Sequence, residues 1–272
     1  MLIRTETNDG VVGKVRYFEG AVAFQNIKLN VFGFVTDGIL IDTGAPRLLD
    51  DFKPFFAENR FEKVVITHAH EDHSGGAAYI QKQYEVPIYM NEKGMEECAQ
   101  KADYPFYRKY FWGKRMPFQA KPLGKTFESI NATWDVIETP GHADDHLAFL
   151  NRETGQLFSG DLFVHPQTKL MLKNESVPTM MASIRRVLTY DFQEMFCCHA
   201  GYVKNGREML EKKLIYLEEL TGEIQQLHKK GFNEKEIRKK IFGKKYPITY
   251  VSFGEWDSLH IIRSVLEETY RA

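Results

Sequence analysis

The sequence predicts an α/β fold that carries a ligand-rich edge and ends in a small helical segment. Three observations lead there. Residues 39–90 follow a β-α-β rhythm, histidines and an aspartate crowd the end of one of those strands, and the periodicity turns helical from about residue 204.

Residues 11–50 alternate apolar and polar positions, with turn signals at Gly20 and at Asp37-Gly38. Val31-Phe32-Gly33-Phe34-Val35 and Ile39-Leu40-Ile41 read as strands of a hairpin-rich sheet, the second ending in Asp42-Thr43-Gly44-Ala45. Pro46 to Asn59 reads as an amphipathic helix interrupted near Pro54. Val64-Val65-Ile66 is a β-branched run expected to be a buried strand ending at Thr67. A helix over about Gly76 to Tyr84 and a strand at Pro87–Met90 complete the rhythm.

Residues 93–125 break it. Tyr104 to Phe118 is dense in aromatic and basic side chains without clear periodicity, and no element is assigned there. Trp134–Glu138 reads as a strand, and Leu147–Leu150 and Leu157-Phe158 as a hairpin around Arg152–Gly155. A helix is expected over about Met180 to Tyr190 and a last core strand over Met195–Cys198. Beyond it, Glu208 to Lys230 reads as one long helix with Leu210, Leu214, Leu217, Ile224 and Leu227 as its apolar stripe. Gly231 suits its C-cap, and Asn233 caps a second helix, Glu234–Phe242. Pro247 to Gly254 reads as loop or short strand, and Asp257 or Ser258 starts a terminal helix.

With 272 residues the chain can bury a large core, and 43% hydrophobic with 27% charged residues is ordinary for a globular protein. Thirty-six Lys+Arg against 37 Asp+Glu give no general polyanion-binding footprint. Residues 204–272 hold 14 Lys+Arg and 11 Asp+Glu, a small positive tilt. Residues 1–9 lack an apolar targeting run and no 18-residue apolar stretch follows, so neither secretion nor a membrane span is expected. Three cysteines make no disulfide framework, which fits a cytoplasmic setting.

The chemistry concentrates at residues 68–73. His68, His70, Asp72 and His73 follow the Val64–Ile66 strand, where open α/β sheets place their ligands. One short loop cannot surround a metal ion, so donors from distant loops are needed. His142, Asp161 and His199 supply them, each after a strand-like segment and beside a glycine.

This ordered pattern resembles the metallo-β-lactamase superfamily. Leu40-Ile-Asp-Thr-Gly44, Thr67-His-Ala-His-Glu-Asp-His-Ser-Gly-Gly76, Thr139-Pro-Gly-His142, Phe158-Ser-Gly-Asp-Leu162 and Cys198-His-Ala-Gly201 are similar to its five motifs in order, over roughly residues 20–205. The resemblance implies an αββα four-layer sandwich with the site at one edge. Residues 1–203 would form the catalytic domain, with 93–125 as an insertion or lid, and 204–272 a small C-terminal helical, winged-helix-like domain. His68, His70 and His142 would hold one metal, Asp72, His73 and His199 a second, and Asp161 would bridge them. Two zinc ions are the expected cofactors, with iron or manganese also accepted by such donors. Asp72 and Asp161 are the expected catalytic carboxylates, acting with a metal-bound hydroxide. Asp42 and His146 are expected behind the ligands, orienting them.

Departures narrow the class. Asp161 stands where one major group of β-lactamases carries cysteine, His70 where the di-iron flavoproteins carry glutamate, and His199 is a donor that persulfide dioxygenases usually lack. Thr139-Pro-Gly-His-Ala-Asp-Asp-His-Leu147 is most similar to the lactamase-beta-like endoribonuclease group, which also carries a small helical C-terminal domain. The reading is a dinuclear hydrolase of a small ester, thioester or lactone. Its runner-up is a single-strand-specific endoribonuclease, and a third is a metal-binding redox or regulatory protein without hydrolase activity. Tyr104, Phe106, Tyr107, Tyr110 and His165 are the expected substrate contacts. The same aromatic stretch can instead serve as an RNA platform, or as an ordinary packed insertion, including a homodimer contact. Glu71 is read as a spacer, Cys197 and Cys198 as a buried strand and its end rather than nucleophiles, and Cys98 carries no signal.

Overall fold

The computed structural model describes residues 3–271. In chain order its strands and helices are β1 Arg4–Val12, β2 Val15–Phe24, β3 Ile27–Thr36, β4 Ile39–Ile41, α1 Leu49–Glu58, β5 Lys63–Val65, α2 Glu71–Ser74, α3 Ala77–Tyr84 and β6 Ile88–Met90. There follow α4 Glu92–Ala99, α5 Phe106–Trp112, β7 Lys121–Pro122, β8 Thr126–Glu128, β9 Thr133–Glu138, β10 Leu147–Asn151, β11 Leu157–Phe158 and β12 Met171–Leu172. The chain closes with α6 Val177–Val187, β13 Met195–Cys197, β14 Gly201–Val203, α7 Gly206–Lys229, α8 Glu234–Phe242, α9 Pro247–Val251, β15 Trp256–Asp257 and α10 Ser258–Arg271.

Successive strand side chains point to opposite faces, and here that alternation builds two sheets buried on both sides. In β3, Phe32 and Phe34 face one core while Val31 and Val35 face another. In β10, Leu147 and Phe149 join the core of Phe32 and Phe34, and Ala148 and Leu150 point away from it. The shared core, with Trp134, Phe158 and Phe196, therefore lies between the sheets. The outer face of the first sheet is covered by Phe52, Phe55 and Phe56 of α1, Ile80 of α3 and Phe111 of α5. Ile184 of α6, Leu210 and Leu217 of α7 and Ile262 of α10 cover the second. This is the αββα sandwich.

The first sheet runs β1 through β7 in sequence order, antiparallel up to β4 and parallel from β4 to β7. The second runs β14-β13-β11-β10-β9-β8. A small ribbon pairs Met171 with Asp257 and Leu172 with Trp256, tying the C-terminal segment to the loop after Asp161. Among the described residues, no helix is long and apolar enough to cross a membrane.

Several expectations need correcting. Gly20 is no turn but the middle of β2, opposite Val31. A Cβ there would lie 2.4 Å from Leu48 Cδ1 and 2.7 Å from Phe52 Cζ, so glycine lets α1 press onto the strand. Helix α1 runs unbroken through Pro54. The proline gives up only the bond to the Asp50 carbonyl in the first turn, while Phe52, Phe55 and Phe56 anchor the helix. Residues 247–251 form helix α9, with Pro247 in its first turn, rather than a loop or strand. Residues 93–125, unassigned from sequence, hold most of α4, all of α5 and β7. Strand β14, pairing antiparallel with β13, replaces Met195–Cys198 as the last strand of that sheet. The Asn233 cap of α8 is a full capping box with Glu236.

Replacing Gly20 with Val should destabilise the protein by about 1–3 kcal/mol through overpacking against Leu48 and Phe52. Urea unfolding measures this, and unchanged stability would show that α1 has room to retreat.

Candidate metal centre and its cavity

The centre is assembled where strands of both sheets end. After β5, Thr67 is pinned by Asp42: its N–H donates to Oδ1 at 2.8 Å and its hydroxyl to Oδ2 at 2.9 Å. The following loop is held from behind through Ala69, whose N–H donates to Asp145 Oδ2 at 2.8 Å. The Ala69 carbonyl accepts from the buried Arg115 guanidinium at 2.7 Å. Glu71, the sequence spacer, is buried and held by Arg108 at 2.9 and 2.6 Å, which clamps α5 onto α2.

Two groups of donors converge. His68 Nε2, His70 Nδ1 and His142 Nε2 form the first, with His70 Nδ1 3.0 Å from each of the others. Asp72, His73 and His199 form the second, and the ligand atoms of each group lie within 4.8 Å of one another. Asp161 stands between them. Its Oδ2 is 3.3 Å from His142 Nε2 and 3.0 Å from His199 Nε2, and its Oδ1 is 3.3 Å from His73 Nε2.

The far nitrogen of most of these rings has an oxygen partner, which fixes ring orientation. His73 Nδ1 meets Asp42 Oδ2 at 2.8 Å, His142 Nδ1 meets Glu175 Oε1 at 3.1 Å, His68 Nδ1 lies 3.1 Å from the Thr67 hydroxyl, and His199 Nδ1 meets the Asn30 carbonyl. His146 lies behind Asp161, accepting from its N–H at 2.9 Å on Nε2 and pairing with the Thr139 hydroxyl through Nδ1. Both its nitrogens are thus occupied outside the donor groups.

His73 Nε2 and Asp161 Oδ1 are buried without a hydrogen-bond partner. Leaving such groups unpaired costs about 1–3 kcal/mol each. They lie 3.3 Å apart among five other donors, so cations accepting their lone pairs would satisfy both. The residues present fit a pair of metal ions.

The electrostatics agree. Burial, then neighbouring His73 and His70, holds His68 well below the usual histidine range. Burial, then Arg108, does the same to His70. Neutral imidazole is the metal-binding form. Burial also pushes His199 down, but Asp161 outweighs it and lifts the ring to about 9. For His142, Glu175 and Asp161 outweigh burial in the same direction. Asp161 itself is held well below the carboxylate range, because His199, His73 and His142 outweigh its burial. The carboxylates therefore favour positive charge at this spot, whether proton or metal ion. His146 is driven down to about 3 by burial and then by His142, so it stays neutral and accepts from Asp161.

A cavity of about 430 Å³ opens over the donors, with His70, Asp72, His142, Asp161 and His199 in its lining. Of the expected substrate contacts, Tyr107 and His165 line it, while Tyr104, Phe106 and Tyr110 do not. The helical turn of α5 explains the split. Tyr107, Arg108, Phe111 and Trp112 face the cavity, whereas Phe106 is 77% exposed and stacks on Tyr110 on the other face. Tyr104 is buried, its hydroxyl donating to the Gly113 carbonyl and accepting from the Arg115 N–H.

Sequence reasoning missed Glu175, Arg108, Arg115, and the cavity residues Ile248 and Trp256, whereas Asp145, readable as a loop residue beside the ligands, holds the Ala69 N–H. It also missed Lys213 of α7, whose buried ammonium donates to the Leu162 and Phe163 carbonyls at 2.8 Å each, just past Asp161. A lone acid in a loop or a lysine on a helix face carries no motif. Only the Asp144-Asp145 pair gave a signal.

The family model described as "Metallo-beta-lactamase superfamily" matches residues 34–199, more than half of the chain. Over 213 residues the chain is 28% identical to thioesterase pkgB of Emericella nidulans, covering 75% of this chain and 54% of that protein. It is 26% identical over 198 residues to the atrochrysone carboxyl ACP thioesterase of Passalora fulva, covering 68% and 52%. The chain thus spans about half the length of these two relatives. Among solved structures, a β-lactamase domain protein from Burkholderia ambifaria superimposes with a TM-score of 0.67 at 17% identity, covering 93% of this chain and 87% of that one.

Burial raises the Asp145 carboxyl to about 6 from an ordinary 3.8, although the Ala69 N–H opposes it. The folded state then binds more protons than the unfolded state between about pH 4 and 6, so stability falls as pH rises through that window. Asp145→Asn keeps an acceptor for Ala69 and removes the charge. Relative to wild type it should be more stable by up to about 2–3 kcal/mol at pH 7.5, with a smaller advantage at pH 5. Urea titrations at both pH values check this, and a pH-independent difference would contradict it.

Proposed function

The chain belongs to the metallo-β-lactamase superfamily, and from that premise we propose that it is a dinuclear metal-dependent hydrolase acting on thioesters. The observation that carries the reading is Asp161, buried between two groups of three donors, one of its oxygens unpaired beside the equally unpaired His73 Nε2. His68, His70 and His142 would hold one ion and Asp72, His73 and His199 the other, with Asp161 standing between the two groups. Imidazole and carboxylate donors suit zinc, while iron and manganese accept the same set. Metal ions at this place supply Lewis acidity, lowering the pKa of a water and polarising the scissile carbonyl.

The chain's own residues do the rest. Asp42, Glu175 and the Asn30 carbonyl hold His73, His142 and His199 with their Nε2 atoms turned inward. Asp72 and Asp161 are the carboxylates that would take the proton of an attacking water. Water oxygen adds to the acyl carbon, the carbon–sulfur bond breaks, and the sulfur leaves as a thiol once protonated. The carboxylic acid is the other product.

Two of the relatives are named thioesterases, which favours thioesters over simple esters or lactones. The apolar cavity wall supports an acyl group of some bulk. All seven donors fall in residues 1–203, proposed as the catalytic domain, and residues 204–272 close the cavity through Lys213, Ile248 and Trp256. Three free, buried cysteines suit a cytoplasmic setting. A single-strand ribonuclease is the second reading, favoured by the exposed Phe106–Tyr110 stack outside the cavity.

The test is a panel of acetyl- and octanoyl-thioesters and single-stranded RNA oligomers, with thiol release and RNA cleavage as readouts. Thioester turnover that is abolished by chelation and restored by zinc is expected. RNA cleavage without thioester turnover reverses the order, and full iron occupancy without any hydrolysis supports a redox or regulatory protein. His142→Ala leaves the first ion two protein ligands besides Asp161, so its metal content should fall, as mass spectrometry of the purified variant reads directly. Asp161→Ala should lose nearly all turnover and the second equivalent of metal. Two retained equivalents in that variant would remove Asp161 from between the ions.

A further inference from the structure

The cavity has a feature that metal ligation does not use. Tyr107 is only 7% exposed and lines the cavity, and its Oη has no hydrogen-bond partner. Burial, then Glu255, keeps the phenol protonated, so this hydroxyl is a donor. Glu255 itself lies 3.9 Å from the Arg108 guanidinium. Around Tyr107 the wall is apolar. Phe111 and Trp112 follow it on α5, and Ile248 and Trp256 of the C-terminal segment pack against the same cluster. That wall is anchored, because Trp256 pairs with Leu172, which lines the cavity too. At this end of the cavity an apolar wall surrounds the Tyr107 hydroxyl, with Arg108 and Glu255 as its polar neighbours, which matches a largely apolar chain that carries one acceptor.

We propose that this end of the cavity is an acyl subsite, built jointly by α5 and the C-terminal segment, in which the Tyr107 hydroxyl donates a hydrogen bond to an oxygen on the substrate's acyl chain. The inference rests on the thioester reading and narrows it to oxygenated, medium-sized acyl groups. The thioester carbonyl sits over His70, His142 and Asp161, and the chain runs towards Tyr107, Ile248 and Trp256. Sites built to hydrogen-bond a substrate oxygen discriminate strongly against analogues that lack it, because the buried donor is then left unpaired.

The experiment uses the full chain and N-acetylcysteamine thioesters of acetate, octanoate and 3-, 5- and 7-hydroxyoctanoate, with the free acids as calorimetric binding probes. Wild type should favour at least one hydroxyoctanoyl thioester over octanoyl by about tenfold or more in kcat/KM, and octanoyl over acetyl. Tyr107→Phe should shrink the hydroxyl preference at least fivefold, in turnover and in binding of the acids. Trp256→Ala should shrink the octanoyl-to-acetyl ratio. Ile248→Ala, a smaller change, repeats that test should the tryptophan variant not fold, with metal content as the folding control. Thioester turnover with both ratios unchanged in the variants overturns the subsite while leaving the hydrolase reading standing. Tyr107-dependent binding of a hydroxy acid without any thioester turnover keeps the subsite and overturns the thioester chemistry. Absence of both overturns both.

Discussion

The Asp42 carboxylate ties the two sheets together at the edge where the donors meet. It is fully buried just after β4 and accepts from the Thr67 N–H and hydroxyl, from His73 Nδ1 and from the Cys198 thiol. Thr67 follows β5 of the first sheet, and Cys198 follows β13 of the second. One carboxylate thus sets the spacing of β4, β5 and β13 and turns His73 so that its Nε2 faces Asp161. The backbone at Asp42 has φ 57°, a left-handed conformation that aspartate tolerates better than most residues. Aspartate therefore meets both demands of the position, acceptor oxygens and a tight backbone.

From that node the donor geometry follows by short steps. Thr67 fixes where β5 ends, so His68 and His70 leave the strand in a set direction, and α2 carries Asp72 and His73 beneath them. Asp145 and Arg115 grip the Ala69 backbone from behind, while Arg108 grips Glu71. Removing both charged partners of Ala69 would leave a loop with four ligands and little to hold it. On the other sheet, Lys213 braces the carbonyls just past Asp161, so the C-terminal segment supports the donor edge as well as walling the cavity.

Much of this was legible in the sequence, for physical reasons. Strands covered on both faces become near-continuous apolar runs, so β3, β5, β10 and β13 could be read from stretches such as Val31–Val35 and Met195–Cys197. The seven donors stood out because each follows a strand and precedes or abuts a glycine turn. The structure brings those seven side chains together and puts Asp42 and His146 behind them. What escaped depends on tertiary contacts. Gly20 looks like a turn residue, yet its small size serves the approach of α1. Phe106 and Tyr110 look like binding aromatics, but which face of α5 meets the cavity is decided by the Arg108–Glu71 clamp rather than by composition. Glu175 belongs to no local pattern and acquires its role only by meeting His142 across 33 residues of chain.

The cavity combines these contributions. Its floor is the donor set from the strand ends, and its walls come from α5 of the unassigned stretch together with Lys213, Ile248 and Trp256 of the C-terminal segment. Anomalous diffraction from crystals grown with zinc reads the two proposed ion positions without intermediaries. Two peaks about 3.5–4 Å apart with the Asp161 carboxylate between them are expected. A single peak held by His68, His70 and His142, with Asp161 outside its coordination shell, would contradict the two-ion centre.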